Sequence, residues 1–140
     1  MGSVEPSAQR LQGFLEGGED DSPIVMINLL RYRERAAYPE GFDADPCSGR
    51  EAYQRYGAVA ARLIGSVGGR LVWMRSVHFT VIAPDGERWD DAVLVEYPSR
   101  NAFIEMVSLP EYQAVAPHRT AALEDSRLIA TRAGADLLGT

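Results

Sequence analysis

Four polar residues have the types and settings for proton-transfer chemistry: Glu96, Arg75, Asn28 and His118. Glu96 is the lone carboxylate near the end of the apolar run "AVLVEY". If Asp85-Gly86 is the two-residue turn of a hairpin, Pro84 faces Glu87 and Arg75 lies directly across from Glu96. The pair then has two readings. As a cross-strand ion pair it fixes register and contributes roughly 0.2–1 kcal/mol. Partly desolvated beside a ligand, Glu96 would be a general base and Arg75 would hold an anionic or enolate oxygen. Asn28 sits inside "PIVMINLL", on the face of Ile24, Met26 and Leu30. Its carboxamide must find partners or cost about 1–3 kcal/mol. It either satisfies a neighbouring strand or serves as an oxyanion donor. In "PHRTAALED", His118 is a candidate proton shuttle and Arg119 a carboxylate clamp. Solvent-facing or capping roles are the alternative for both. Trp73, Tyr112, Arg119 and Tyr32 complete the candidate ligand-binding set.

Composition narrows the remaining chemistry. All 14 basic residues are arginine, so no lysine Schiff base can form. The net charge of −6 argues against a nucleic-acid partner, which needs clustered cations. One cysteine, Cys47, gives no intrachain disulfide and no cysteine-rich zinc site, and His78 and His118 lie too far apart for a helical metal pair. No metal and no cofactor are expected. Dinucleotide, Walker and nucleophile-elbow motifs are missing. The balance of 46% hydrophobic and 24% charged residues is that of a soluble globular domain. Apolar runs fall short of the roughly 20 residues that span a bilayer, and "MGSVEPSAQR" lacks a signal-peptide layout, so no membrane partner and a cytoplasmic location are expected.

The elements that must position these groups can be read in order. A short helix starts at Ser7 and stops at Gly17-Gly18, and an acidic link follows, so residues 1–22 form an N-terminal helix and linker. Residues 23–30 form a strand buried on both faces. Residues 31–48 have no period and hold two prolines, the pattern of a long excursion or lid. Ser48 and Glu51 make a capping box for a helix whose apolar stripe runs through Tyr53, Tyr56, Ala60, Leu63, Ile64 and Val67 to Gly68-Gly69. Strands at 70–83 and 88–97 flank the Asp85-Gly86 turn. Ser99 caps a third helix, Ser108 and Glu111 form a second capping box, and Pro117 breaks or kinks the helix that follows. A last strand covers 127–133, and 134–140 is a tail. The order βαββαβ over 23–133 predicts an α+β, ferredoxin-like domain with an antiparallel sheet. One face of that sheet would stay apolar and open, carrying residues such as Met26, Val72, Met74 or Leu94, so a homodimer is expected.

With these elements placed, the chain resembles the DUF1330 family of dimeric α/β-barrel proteins. The matching pieces include "NLLRYR", "GREAYQRYG", "ERWDDAVLVEYPSRNAF" and "SLPEYQAVAPHRTAALEDSRLIAT". The resemblance implies a ferredoxin-like protomer and a dimer whose sheets enclose a lumen, and it brings no established activity. Wider fold relatives include cofactor-free oxygenases and haem-degrading enzymes that use an Asn and a Trp, for which Asn28 and Trp73 would be the counterparts. The resulting expectation is a homodimeric small-molecule protein acting on an apolar or aromatic ligand. It would be a cofactor-independent isomerase, cyclase or monooxygenase, with Glu96, Arg75, Asn28 and His118 as catalytic groups. The alternative is a non-catalytic ligand-binding or dimerisation module.

Overall fold

The computed structural model describes residues 2–17 and 21–133. Eight elements follow in order: α1 (Ala8–Leu15), β1 (Ile24–Tyr32), α2 (Gly49–Ser66), β2 (Arg70–Ser76), β3 (Asp91–Tyr97), α3 (Arg100–Ser108), α4 (Pro110–Ala122) and β4 (Leu123–Arg132). The strands form one antiparallel sheet in the order β2-β3-β1-β4. With α2, α3 and α4 packed on one side, this is the α+β ferredoxin-like arrangement. The expected tail, 134–140, lies outside the described residues, as do Gly18 and the start of the acidic link.

Alternation along β3 sorts the two faces of the sheet. Asp91, Val93, Val95 and Tyr97 are buried, whereas Ala92, Leu94 and Glu96 are only half-buried. Pairing extends the inner face to Met26 and Leu30 on β1 and to Met74 on β2. Met26 and Met74 therefore lie under the helices, contrary to their expected place on the open face. Leu63 from α2, Ala102 and Met106 from α3, and Ala122 complete the core. No described helix covers the other face, where Ile27, Leu94, Ile129 and Trp73 sit. Ile129 and Trp73 are each more than two-fifths exposed.

Helix α2 begins as its capping box dictates. Ser48 Oγ accepts from Glu51 N at 3.1 Å, and Glu51 Oε1 accepts from Ser48 N at 3.0 Å. Gly68, at a φ of 83°, ends it in the left-handed region that glycine enters without steric cost. The second capping box does not form. Ser108 Oγ donates instead to Ile104 O at 2.7 Å, and Glu111 reaches Arg62 on α2 at 2.8 Å. Pro110 opens α4 in the first turn, where its missing N–H costs nothing. Pro117 does not break α4, which runs uninterrupted to Ala122 while packed against α2.

Residues 33–48 close over the C-terminal end of α4 rather than standing free. Arg33 N and Ala37 N donate to the carbonyls of Ala122 and Ala121 at 2.8 and 2.9 Å, satisfying acceptors that a helix end leaves open. The N-terminal segment is tied to the same region. Ser3 N donates to Asp125 Oδ1 at 2.8 Å, and Phe14 of α1 meets Phe103 edge to face at 5.8 Å.

The strand after α2 is shorter than its composition predicts. β2 stops at Ser76, and β3 starts only at Asp91. The turn at Asp85-Gly86 exists, with Gly86 at a φ of 84° and Glu87 N donating to Pro84 O at 3.1 Å, but strands do not flank it. Residues 88–90 are drawn toward β1 and β4 instead. Trp89 is buried beneath the Arg127 guanidinium at 5.0 Å, and Asp90 N donates to Leu30 O at 2.7 Å. The β2–β3 register is therefore set by a long loop and by a bulge between Leu71 and Trp73, which pairs Arg70, not Arg75, with Glu96.

Candidate functional site

At one end of the domain, on the helix side, β1 finishes, β3 begins and α2 starts. Asp91 stands there on an inward-facing position and is only 3% exposed. Its Oδ2 accepts from Tyr32 OH at 2.6 Å and from Arg50 Nη1 at 2.9 Å. Arg50 also lies over the Tyr32 ring, 4.6 Å from its centroid. Asp91 Oδ1 is buried and has no hydrogen-bond partner among the described residues. An orphaned carboxylate oxygen in a low-dielectric setting costs free energy and marks a place where a ligand's donor would be welcome.

Phenols lead from Asp91 into the packing between α2 and α4. Tyr32 and Tyr53 have ring centroids 5.6 Å apart, and Tyr53 and Tyr56 5.3 Å. The Tyr56 and Tyr112 hydroxyls are 3.0 Å apart. Burial pushes the phenols of Tyr53 and Tyr56 up, and it does the same for Tyr32, where the bond to Asp91 adds to the effect. All three are neutral hydrogen-bond donors at physiological pH. The Arg119 charge partly offsets the burial of the Tyr53 phenol, while its Nη1 donates to Val4 O at 2.9 Å.

A second cluster joins residues 33–48 to α4. Tyr38 OH lies 2.6 Å from His118 Nδ1 and accepts from Arg55 Nη1 at 3.2 Å. One proton lies between the Tyr38 hydroxyl and Nδ1, and the imidazole tautomer decides which of the two donates it. Phe42 stacks on Tyr38, and both rings meet His118 edge to face. Burial, and then the Arg55 charge, hold His118 below the usual histidine range. Pro39 and Pro117, each one residue from this pair, line an open depression of about 330 Å³ with Glu5, Gln113, Ala116 and Thr120.

The structure therefore splits the residues singled out by sequence. Tyr32, Tyr112 and Arg119 come together around Asp91 and the phenols, with His118 adjoining. Glu96 instead pairs with Arg70 at 3.0 Å on the uncovered face. Arg75 donates to Met74 O at 2.7 Å and lies 5.8 Å from the Trp73 ring centroid on that same face. Asn28 is on the opposite, helix-covered side, level with Val93 and Leu128, so it cannot act with Glu96, Arg75 or Trp73. Its carboxamide makes no hydrogen bond to another described residue, and half-exposure leaves it to solvent. Sequence reasoning passed over Asp91, Arg50, Tyr38 and Arg55. For Asp91 a signal was present: in "DAVLVEY" the acid shares the buried period-two face of Val93, Val95 and Tyr97.

Fold and site together define a ferredoxin-like α+β domain with a buried carboxylate and a row of contacting phenols at one end. The chain belongs to the domain of unknown function DUF1330 family, whose model matches residues 47–132. It is similar to RPA0582, a protein of unknown function from Rhodopseudomonas palustris, at 38% identity over 95% of this chain and 98% of that one, with a TM-score of 0.85. An uncharacterised NIPSNAP domain protein from Burkholderia xenovorans has 15% identity over 80% of this chain and 95% of its own, with a TM-score of 0.51. A hydroxynitrile lyase from Passiflora edulis has 11% identity over 84% and 99%, with a TM-score of 0.50. The last two likenesses are of fold alone. No curated protein matches the chain. Among the described residues no helix is long and apolar enough to cross a membrane.

Proposed function

We propose that this protein is a homodimer that binds a small apolar or aromatic molecule at the Asp91 end of each protomer and moves a proton on it without a cofactor. The observation that carries this reading is Asp91 itself, buried, held through Oδ2 by Tyr32 and Arg50, and left with Oδ1 open. A ligand's hydroxyl or acidic C–H would give its proton to Oδ1. Arg119 and the neutral Tyr53 hydroxyl would face the negative charge left behind. The Tyr rings supply the apolar walls that an aromatic ligand needs. Dimerisation would use the uncovered sheet face, where exposed Ile129 and Trp73 cannot stay in water at no cost. Glu96 and Arg75 then belong to that face rather than to catalysis.

Acetophenone in D2O tests both halves of the reading. Wild type should speed deuterium exchange at the methyl carbon, followed by proton NMR, and Asp91→Asn should lose that effect at unchanged circular dichroism. Exchange that survives in Asp91→Asn would contradict the role of Asp91. The alternative, a binding module without catalysis, is favoured by the Arg50–Asp91 ion pair at 2.9 Å, in which the carboxylate already has a cationic partner. It would give saturable binding of 4-nitrophenol that needs Asp91, with no exchange.

A further inference from the structure

The most exposed large apolar side chains among the described residues sit in a run after β2 rather than on the sheet. Phe79, Val81 and Ile82 are 75%, 81% and 94% exposed. The loop that carries them is pinned at its base. Val77 N donates to Asp90 O at 2.8 Å, and Glu87 bonds Arg127 at 3.3 Å. Between these pins the backbone of residues 78–83 makes no hydrogen bond to another described residue. A largely apolar segment whose backbone is unpaired leaves both its side chains and its peptide groups to water, and it invites packing and pairing with another chain.

We infer that residues 78–83 are an arm that packs on a second copy of this chain across the dimer interface. The inference rests on the homodimer proposed above. Area argues for it. Strands spaced about 4.8 Å apart, with roughly seven residues of about 3.3 Å each, give a four-stranded face a flat footprint of roughly 400–450 Å². Two such faces total about 900 Å², short of the roughly 1,600 Å² usual in a stable interface. Two arms, one from each copy, supply apolar surface in the direction of the shortfall. The arm is also continuous with the sheet face, because it extends β2 beyond Ser76, and Leu71, Val72 and Trp73 of that strand are exposed too.

The test places a photo-crosslinking benzoylphenylalanine at Ile82 in the full chain and mixes it with ¹⁵N-labelled copies under conditions of subunit exchange. Cross-linked peptides of mixed isotope content are expected. In parallel, sedimentation compares Phe79→Ser/Val81→Ser/Ile82→Ser with Ile27→Asp on the sheet face, each checked by circular dichroism. The arm variant should raise the dimer dissociation constant at least roughly tenfold. Cross-links confined to one chain, or an arm variant with wild-type dimerisation while Ile27→Asp is monomeric, would overturn the arm and leave the homodimer standing. A wild type that is monomeric at every concentration would overturn both.

Discussion

Asp91 and Tyr32 meet at 2.6 Å inside the protein, and that contact sets the chemistry of the site. Removing the hydroxyl with Tyr32→Phe leaves Asp91 held by Arg50 alone. Urea denaturation should show a loss of about 1–3 kcal/mol, the cost of an unmatched buried acceptor. A near-neutral result would mean that the carboxylate is better solvated than its burial implies. His118 gives a pH signature of known sign. Its folded-state pKa lies below the ordinary value near 6.5, so the unfolded chain takes up the proton first. Stability contributed by neutral His118 is complete above that value and declines as pH falls below it, down to the folded-state pKa. His118→Gln should flatten that acid-side decline in a series of urea midpoints from about pH 8 to about pH 5. An unchanged slope would mean that His118 does not carry it. At this scale the sequence was informative about residue types and poor about partners. Tyr112 was recognisable as a phenol on an apolar stripe, and Arg119 as a cation beside His118. The partner of Glu96 was misassigned because it depends on a loop and a bulge, which residue types do not encode.

Element boundaries were readable wherever one local signal had no competitor. The Ser48–Glu51 box and Gly68 mark α2 at both ends, as their chemistry dictates. Asp85-Gly86 forms its turn, yet the hairpin around it fails because Trp89 and Asp90 find better partners on β1 and β4. Tertiary contacts outweigh a two-residue preference there. Pro117 lies inside α4 for a related reason, since packing on α2 compensates for one missing hydrogen bond. Two glycines of α2 separate packing from propensity. A Cβ at Gly49 would overlap the carbonyl oxygens of Arg33 and Ala122, whereas one at Gly57 meets open space. Gly49→Ala should therefore cost about 1–3 kcal/mol by thermal or urea unfolding, and Gly57→Ala should add roughly 0.5–1 kcal/mol. Equal effects at the two positions would show that the junction of residues 33–48 with α4 yields freely.

For the whole molecule, the two faces of the sheet divide the work. The helix side carries a buried carboxylate, phenols and the Arg50 that pairs with the carboxylate, and the uncovered side carries apolar residues and the Arg70–Glu96 pair. The order of strands and helices along the chain and the α+β class were legible because periodicity reports burial. The face on which each candidate residue falls was not fully legible, since a register error of one residue turns a side chain to the other side. Asn28 and Glu96 were placed together because "PIVMINLL" is apolar at nearly every position and does not report which of its faces the helices cover; the sheet separates them. The most direct measurement is a ¹H–¹⁵N correlation spectrum of the full chain titrated with 4-nitrophenol. The proposed site requires saturable shifts concentrated at Tyr32, Arg50, Tyr53 and Asp91. Shifts centred instead on Trp73, Arg75 and Glu96, or none at any residue, would contradict it.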